Sequence, residues 1–142
     1  MKVDQVCTFR LGGLLFGLDV LHVQEVMRHQ AMTPVPLAHP VVRGLINLRG
    51  EVVTALDLGR RLGVSEAGEA AMNVVVRYSQ GVGSLLVDEV GDVLDIDSEA
   101  CEEPPSTLQG PMRELIGRVV KLKDSLLLVL DLEKAMHLDA DR

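Results

Sequence analysis

The sequence repeats itself, and this internal repeat is the feature that most constrains its fold. Residues 7–27 match residues 74–94 in apolar pattern at an offset of 67, and residues 46–62 match residues 120–136 at an offset of 74. A chance match between two aliphatic segments is the alternative. Turns, a proline-containing loop and a terminal Asp-Leu pair recur in the same order in both halves, which argues against chance. The repeat therefore predicts two similar halves.

Each half contains about five short segments in which apolar residues alternate between turn residues, a pattern typical of β-strands. A five-stranded sheet this short is best closed into a small barrel, because closure removes exposed strand edges. We therefore predict a mainly β fold of two five-stranded barrels that share a hydrophobic core. In the first half the predicted strands are Val6–Leu11, Leu14–Leu18, Val23–Arg28, Val42–Leu48 and Val52–Asp57.

The predicted barrels are parts of one domain, residues 1–142. The first barrel is assigned to residues 6–64 and the second to residues 72–136, with the small, polar stretch Ser65–Ala71 as the linker. The chain termini are allowed to exchange strands between the barrels. Short helices are predicted at Asp57–Leu62 and Leu132–His137.

Composition excludes several classes of function. Of 142 residues, 47% are apolar and only 2% aromatic, so the core is expected to be aliphatic. Fourteen Lys and Arg against 21 Asp and Glu give a formal net charge of −7, which disfavours nucleic-acid binding because phosphates require a basic surface. No apolar run approaches the ~18 residues of a membrane helix. We expect a cytoplasmic protein without direct membrane insertion.

Residue patterns that support catalysis or metal binding are missing from the sequence. The four histidines lack the paired spacing of metal sites, and the two cysteines form no CxxC motif. No nucleophile elbow, Walker loop or dinucleotide-binding glycine pattern occurs. We therefore predict no catalytic residue, no metal and no cofactor. A small-barrel enzyme or ligand-binding protein with an acidic pocket is the distant alternative.

One hairpin combines conformationally special residues with an outward charge. In the run Gly44–Gly50, strand alternation places Asn47 and Arg49 on the outer face, and Gly50 can adopt the positive φ of a tight turn. A rigidly presented arginine suits an interface, because arginine is enriched at binding hot spots. In the alternative interpretation, Asn47 and Gly50 only form the turn and Arg49 only solvates it.

Three stretches of the sequence resemble motifs of the CheW family. They occur in the family's order and, with Leu126–Ala135, the resemblance extends from about Val6 to Met136. Thr54 departs from the pattern, because many members have proline there. The three stretches are Phe16–Val26, which contains Val-Gln-Glu, then Pro40–Val53 followed by Leu56–Leu58, and finally Leu86–Leu94.

The resemblance implies two SH3-like barrels and a non-enzymatic adaptor. Such an adaptor joins the cytoplasmic tips of chemoreceptors to the regulatory domain of a CheA-type histidine kinase, at membrane receptor arrays. A detached CheW-like regulatory domain, or an adaptor of a chemosensory pathway other than chemotaxis, is the alternative. The implied receptor-binding residues are Val23, Glu25, Gly44, Asn47, Arg49 and Gly50. The implied kinase- or groove-contact residues are Val87, Asp88, Val90 and Gly91.

Overall fold

The computed structural model describes residues 2–64 and 72–138, so the predicted linker lies outside the described residues. The described residues form ten strands and three short helices, which confirms the mainly β fold. The first half contains β1 (Val3–Leu11), β2 (Leu14–Asp19), β3 (Val23–Arg28), β4 (Val42–Leu48), β5 (Glu51–Asp57) and α1 (Leu58–Leu62). The second half contains β6 (Met72–Tyr78), β7 (Gly81–Val87), β8 (Glu89–Asp97), α2 (Pro111–Leu115), β9 (Ile116–Lys121), β10 (Leu126–Leu130) and α3 (Leu132–Met136).

The strands form two five-stranded sheets that are copies of one another. Sheet A has the order β8-β1-β2-β10-β9, and sheet B has the order β3-β6-β7-β5-β4. Replacing every strand by its repeat partner, five strands along the chain, converts one order into the other. The prediction of two pseudo-repeated five-stranded units is therefore confirmed.

Neither sheet corresponds to one half of the chain, which corrects the simple assignment of residues 6–64 and 72–136 to separate barrels. Sheet A takes β1 and β2 from the first half and β8, β9 and β10 from the second. The exchange follows from pairing: β2 accepts β10 as a parallel neighbour, and β7 accepts β5 in the same way. The predicted boundaries separate the repeats along the sequence but not the sheets.

Strand register follows the sequence offsets. In the β1–β2 hairpin Leu11 lies opposite Leu14, and 67 residues later Tyr78 lies opposite Gly81 in the β6–β7 hairpin. The β4–β5 and β9–β10 hairpins agree at the offset of 74, including a register shift at the same repeat position in both. Equal register means that side chains matched by the repeat occupy equivalent places in the two sheets.

The main hydrophobic core lies where the two sheets meet. Phe9 and Phe16 from sheet A stack there with ring centroids 5.7 Å apart. Val76 and Leu85 from sheet B belong to the same buried cluster, so both repeats contribute to it. Fully burying an aliphatic or phenylalanine side chain contributes about 1.5–3 kcal/mol. We call this cluster the shared core.

The predicted helices after the two Asp-Leu pairs are present as α1 and α3, and each begins with a carboxylate cap. Asp57 Oδ1 accepts a hydrogen bond from Arg60 N at 3.0 Å, and Asp131 Oδ1 accepts one from Lys134 N at 3.2 Å. The third helix, α2, was not predicted; it begins at Pro111, directly after Gly110. Proline is well suited to the first position of a helix, so it begins α2 rather than preventing it.

An arginine links the helices of the two halves. Arg61 in α1 donates from Nε to the carbonyl of Ala135 at 3.1 Å, and from Nη2 to the carbonyls of Lys134 and His137 at 3.1 Å each. These carbonyls lie at the C-terminal end of α3, where a helix leaves its acceptors without internal partners. Arg61 therefore holds the end of the second half against the first.

Candidate functional site

The β4–β5 turn has an unusual backbone. Leu48 pairs with Glu51 across a two-residue loop, and both loop residues have positive φ, 53° for Arg49 and 87° for Gly50. Two positive φ angles are typical of the type I′ turn, which matches the twist of a hairpin. Asn47 Oδ1 accepts a hydrogen bond from Gly50 N at 2.9 Å and so fixes the turn. Asn47 and Gly50 thus have the structural role considered for them.

Arg49 does more than solvate the turn, because its guanidinium is fixed to Glu25. Nη1 donates to Glu25 Oε2 at 2.9 Å and Nη2 donates to Oε1 at 2.5 Å. β3 and β4 are the two outer strands of sheet B, so this ion pair joins opposite edges of the curled sheet. The Arg49 side chain is still 74% exposed. It is a rigid cation that another protein can reach.

The ion pair shifts the pKa of both partners. Two hydrogen bonds from Arg49 hold the pKa of Glu25 below its usual value, against a smaller opposing effect of burial. Conversely, Glu25 raises the pKa of Arg49 further above its ordinary range. Two parallel N–H···O bonds in a fork geometry also fix the direction of the guanidinium.

Sequence analysis missed two neighbours of this pair. Val52 lies opposite Asn47 in the β4–β5 hairpin and is 64% exposed. Gln24, next to Glu25, accepts a hydrogen bond at its Oε1 from Arg77 Nη2 at 3.0 Å. Val52 is followed directly by the equally apolar Val53, so alternation did not show which of the two faces outward, and Val52 gave no signal. We call Glu25, Asn47, Arg49 and Val52 the hairpin surface.

The other two implied receptor-binding residues, Gly44 and Val23, are not part of the hairpin surface. Gly44 lies against the Thr33 backbone, where a Cβ would come within 2.7 Å of the Thr33 carbonyl oxygen. Thr33 and Leu45 exchange two backbone hydrogen bonds of 2.9 Å there, which covers the free edge of β4. Val23 is half-buried and packs on the shared core.

The structure divides the implied kinase- or groove-contact residues between the core and the surface. Val87 is fully buried in the shared core at the end of β7, and Val90 packs on that core. Asp88 connects sheet B to sheet A, and its Oδ2 accepts a hydrogen bond from Gly12 N at 3.0 Å. Gly91 is exposed on β8. Val87 therefore cannot contact a partner, whereas Asp88, Val90 and Gly91 are at least partly exposed.

The described ranges contain neither a metal-ligating cluster nor a helix that could cross a membrane. Residues 2–64 and 72–138 contain no group of three or more His, Cys, Asp or Glu side chains that could hold a metal ion. In the same part of the chain no helix is both long enough and apolar enough to cross a membrane. Arginine is enriched at protein-binding hot spots, so the exposed Arg49 is a candidate contact residue.

Comparisons with known proteins give the family. The model of the CheW-like domain matches residues 5–140. Chemotaxis protein CheW of Treponema pallidum is 31% identical over 136 residues, which cover 92% of this chain and 80% of that protein. Chemotaxis protein CheW of Bacillus subtilis is 28% identical over 130 residues, covering 90% and 83%. The chain belongs to the CheW-like domain family.

A solved structure agrees over nearly the whole fold. The crystal structure of the scaffolding protein TtCheW from Thermoanaerobacter tengcongensis superposes with a TM-score of 0.86 at 26% identity. The match covers 97% of this chain and 95% of that one. The resemblance drawn from the sequence motifs is thereby confirmed, together with the two-barrel architecture.

The ion pair predicts a pH dependence. Because the pKa of Glu25 is lowered in the folded protein, the pair stabilises the fold above the unfolded-state pKa and is lost as pH falls through the folded-state pKa. Replacing the partner, Arg49→Gln, should raise the pKa of Glu25, because the hydrogen bonds from the guanidinium that lower it are lost. NMR of the Glu25 side-chain carboxyl group during an acid titration measures this.

The matched control is Arg28→Gln, on the same strand as Glu25. Among the described residues the Arg28 side chain makes no hydrogen bond or ion pair, so this variant should leave the Glu25 titration unchanged. An equal pKa of Glu25 in the wild type and in Arg49→Gln would show that the ion pair does not form in solution.

Proposed function

We propose that this chain is a non-enzymatic adaptor that couples the cytoplasmic tips of chemoreceptors to a CheA-type histidine kinase. The observation that supports this most is the family match over residues 5–140, together with a neighbour described as a scaffolding protein. A scaffold needs binding surfaces held in a fixed relation rather than a reaction centre. The shared core and the exposed, oriented Arg49 are consistent with that requirement.

The hairpin surface is the proposed receptor contact. It combines one exposed cation, one amide and one exposed valine, a mixture that suits the polar rim and apolar centre of a protein interface. Preorganisation favours binding, because Arg49 already has its direction fixed by Glu25 and loses little side-chain entropy in a complex.

The kinase contact is proposed near Asp88 and Gly91, apart from the hairpin surface. These residues lie where the chain passes from sheet B to sheet A, whereas the hairpin surface belongs to sheet B alone. An adaptor changes kinase activity only if its contacts differ between active and inactive assemblies. Two separate faces allow both partners to bind at once, in an array at the cytoplasmic side of the membrane.

The kinase proposal predicts saturable binding. Isothermal titration of this protein with the regulatory domain of a CheA-type kinase from the same organism should give one-to-one binding with about micromolar affinity, as expected of a small, transient interface. Adding a receptor-tip fragment beforehand should leave that affinity largely intact. Silence at high protein concentration, or full competition between the partners, would contradict the proposal.

The receptor proposal predicts a specific effect of Arg49→Ala. Removing an arginine at a hot spot should weaken binding to a receptor-tip fragment about tenfold or more, without unfolding the protein. Kinase-domain affinity should stay unchanged. Arg28→Ala, which removes another exposed arginine of sheet B, should leave both affinities at wild-type values. Equal receptor affinity of folded Arg49→Ala and wild type would remove Arg49 from the contact.

A further inference from the structure

Sheet A differs from sheet B at the place where Glu25 and Arg49 form their ion pair in sheet B. By the repeat offsets, Asp92 occupies the place of Glu25, and Lys123 occupies the place of Arg49. Lys123 and Asp124 have no positive φ, unlike Arg49 and Gly50, so the β9–β10 turn is of another type. Among the described residues the Lys123 side chain makes no hydrogen bond or ion pair. Within the described ranges the Asp92 carboxylate has no hydrogen-bond or ion-pair partner.

A second difference between the sheets removes a side chain next to the first. Gly91 occupies the place of Gln24, whose side chain binds Arg77 in sheet B. Arg10, the repeat partner of Arg77, therefore lacks that amide, and its side chain has no hydrogen-bond or ion-pair partner among the described residues. The glycine has a local reason, because a Cβ at Gly91 would come within 2.7 Å of the buried Thr8 hydroxyl.

Gly91, Asp92 and Arg10 line a cleft of about 210 Å³ on sheet A. Its apolar floor is formed by half-buried Leu15 and Leu94, which belong to the cluster inside sheet A. Its rim bears two carboxylates, Glu89 and Asp92, against the single guanidinium of Arg10. The excess of negative charge favours a cation, and the floor suits the methylene stem of a long side chain.

We propose that this cleft binds an arginine side chain of a partner protein, with the guanidinium on Asp92. The repeat supplies the chemistry: in sheet B the equivalent carboxylate, Glu25, is already bound in a fork by an arginine of the same chain. A planar guanidinium makes two parallel bonds to a carboxylate, which the ammonium of lysine cannot do. Sheet A lacks an arginine of its own at this position and takes it from outside.

This assignment concerns the ligand's chemistry and goes beyond the adaptor function. It does not depend on whether the receptor or kinase proposals hold, since any protein with a protruding arginine would serve. A failed kinase titration would therefore not contradict arginine binding by the cleft. A negative result in the test below would not contradict the adaptor function.

The test uses N-acetyl-arginine methylamide, which presents the side chain without charged ends, titrated into the ¹⁵N-labelled full chain. The expected result is saturable shifts of the Gly91 and Asp92 amides at about millimolar concentration, as a ligand this small allows. Asp92→Asn should weaken binding about tenfold or more. Glu114→Gln, which removes an exposed carboxylate on α2, should leave binding unchanged.

Two further arms identify the ligand. N-acetyl-lysine methylamide should bind about tenfold or more weakly than the arginine compound, since it cannot form the fork. Free L-arginine should bind no more tightly than the blocked compound. Binding of free L-arginine alone would overturn the assignment to a partner protein in favour of a small molecule. Equal binding by wild type and Asp92→Asn, or no saturable shift, would overturn the site itself.

Discussion

The packing of sheet A against sheet B determines where every surface feature of this protein lies. The shared core contains 20 buried residues, whereas the clusters enclosed inside the two sheets contain five and three, counted over the described ranges. Because hydrophobic stabilisation grows with the apolar area removed from water, neither sheet encloses enough of its own to stand apart from the other. The two sheets are best understood as halves of one folding unit.

Exchange of strands ties these halves together. The first and second halves of the chain cannot separate without breaking strand pairs that join them within a sheet, such as the parallel pairs β2–β10 and β5–β7. Arg61 adds a tie between α1 and the end of α3. For a scaffold this matters, because the hairpin surface and the cleft of sheet A keep a fixed spacing only if the sheets do not move independently.

Much of the fold could be predicted from the sequence because the repeat preserves register. The positions of the first-half strands and of the helices α1 and α3 followed from alternation and from Asp-Leu caps. An exchange of strands between the barrels was allowed for, but which strands exchange could not be predicted, because alternation shows which face of a strand is buried and not which strand lies beside it. For the same reason the pairing of Arg49 with Glu25 was invisible: 24 residues separate them, and only the curling of sheet B brings them together.

The two repeats differ at the surface, beside the Glu25–Arg49 ion pair. The shared core has apolar residues at equivalent places in the two repeats. At the surface, only sheet B has the Glu25–Arg49 ion pair and the Gln24 side chain beside it. In sheet B, Arg49 joins the two outer strands through its ion pair with Glu25, whereas in sheet A Asp92 and Arg10 line a cleft. Both differences are present in the sequence, but only the strand register in the structure shows that the differing residues occupy equivalent places.

The central claim, that the shared core makes one cooperative unit, is tested most directly by differential scanning calorimetry of the full chain. The account predicts one transition whose calorimetric and van't Hoff enthalpies agree, a ratio of about 1. Two separate transitions, or a calorimetric enthalpy well above the van't Hoff value, would show that the sheets unfold independently and would contradict it.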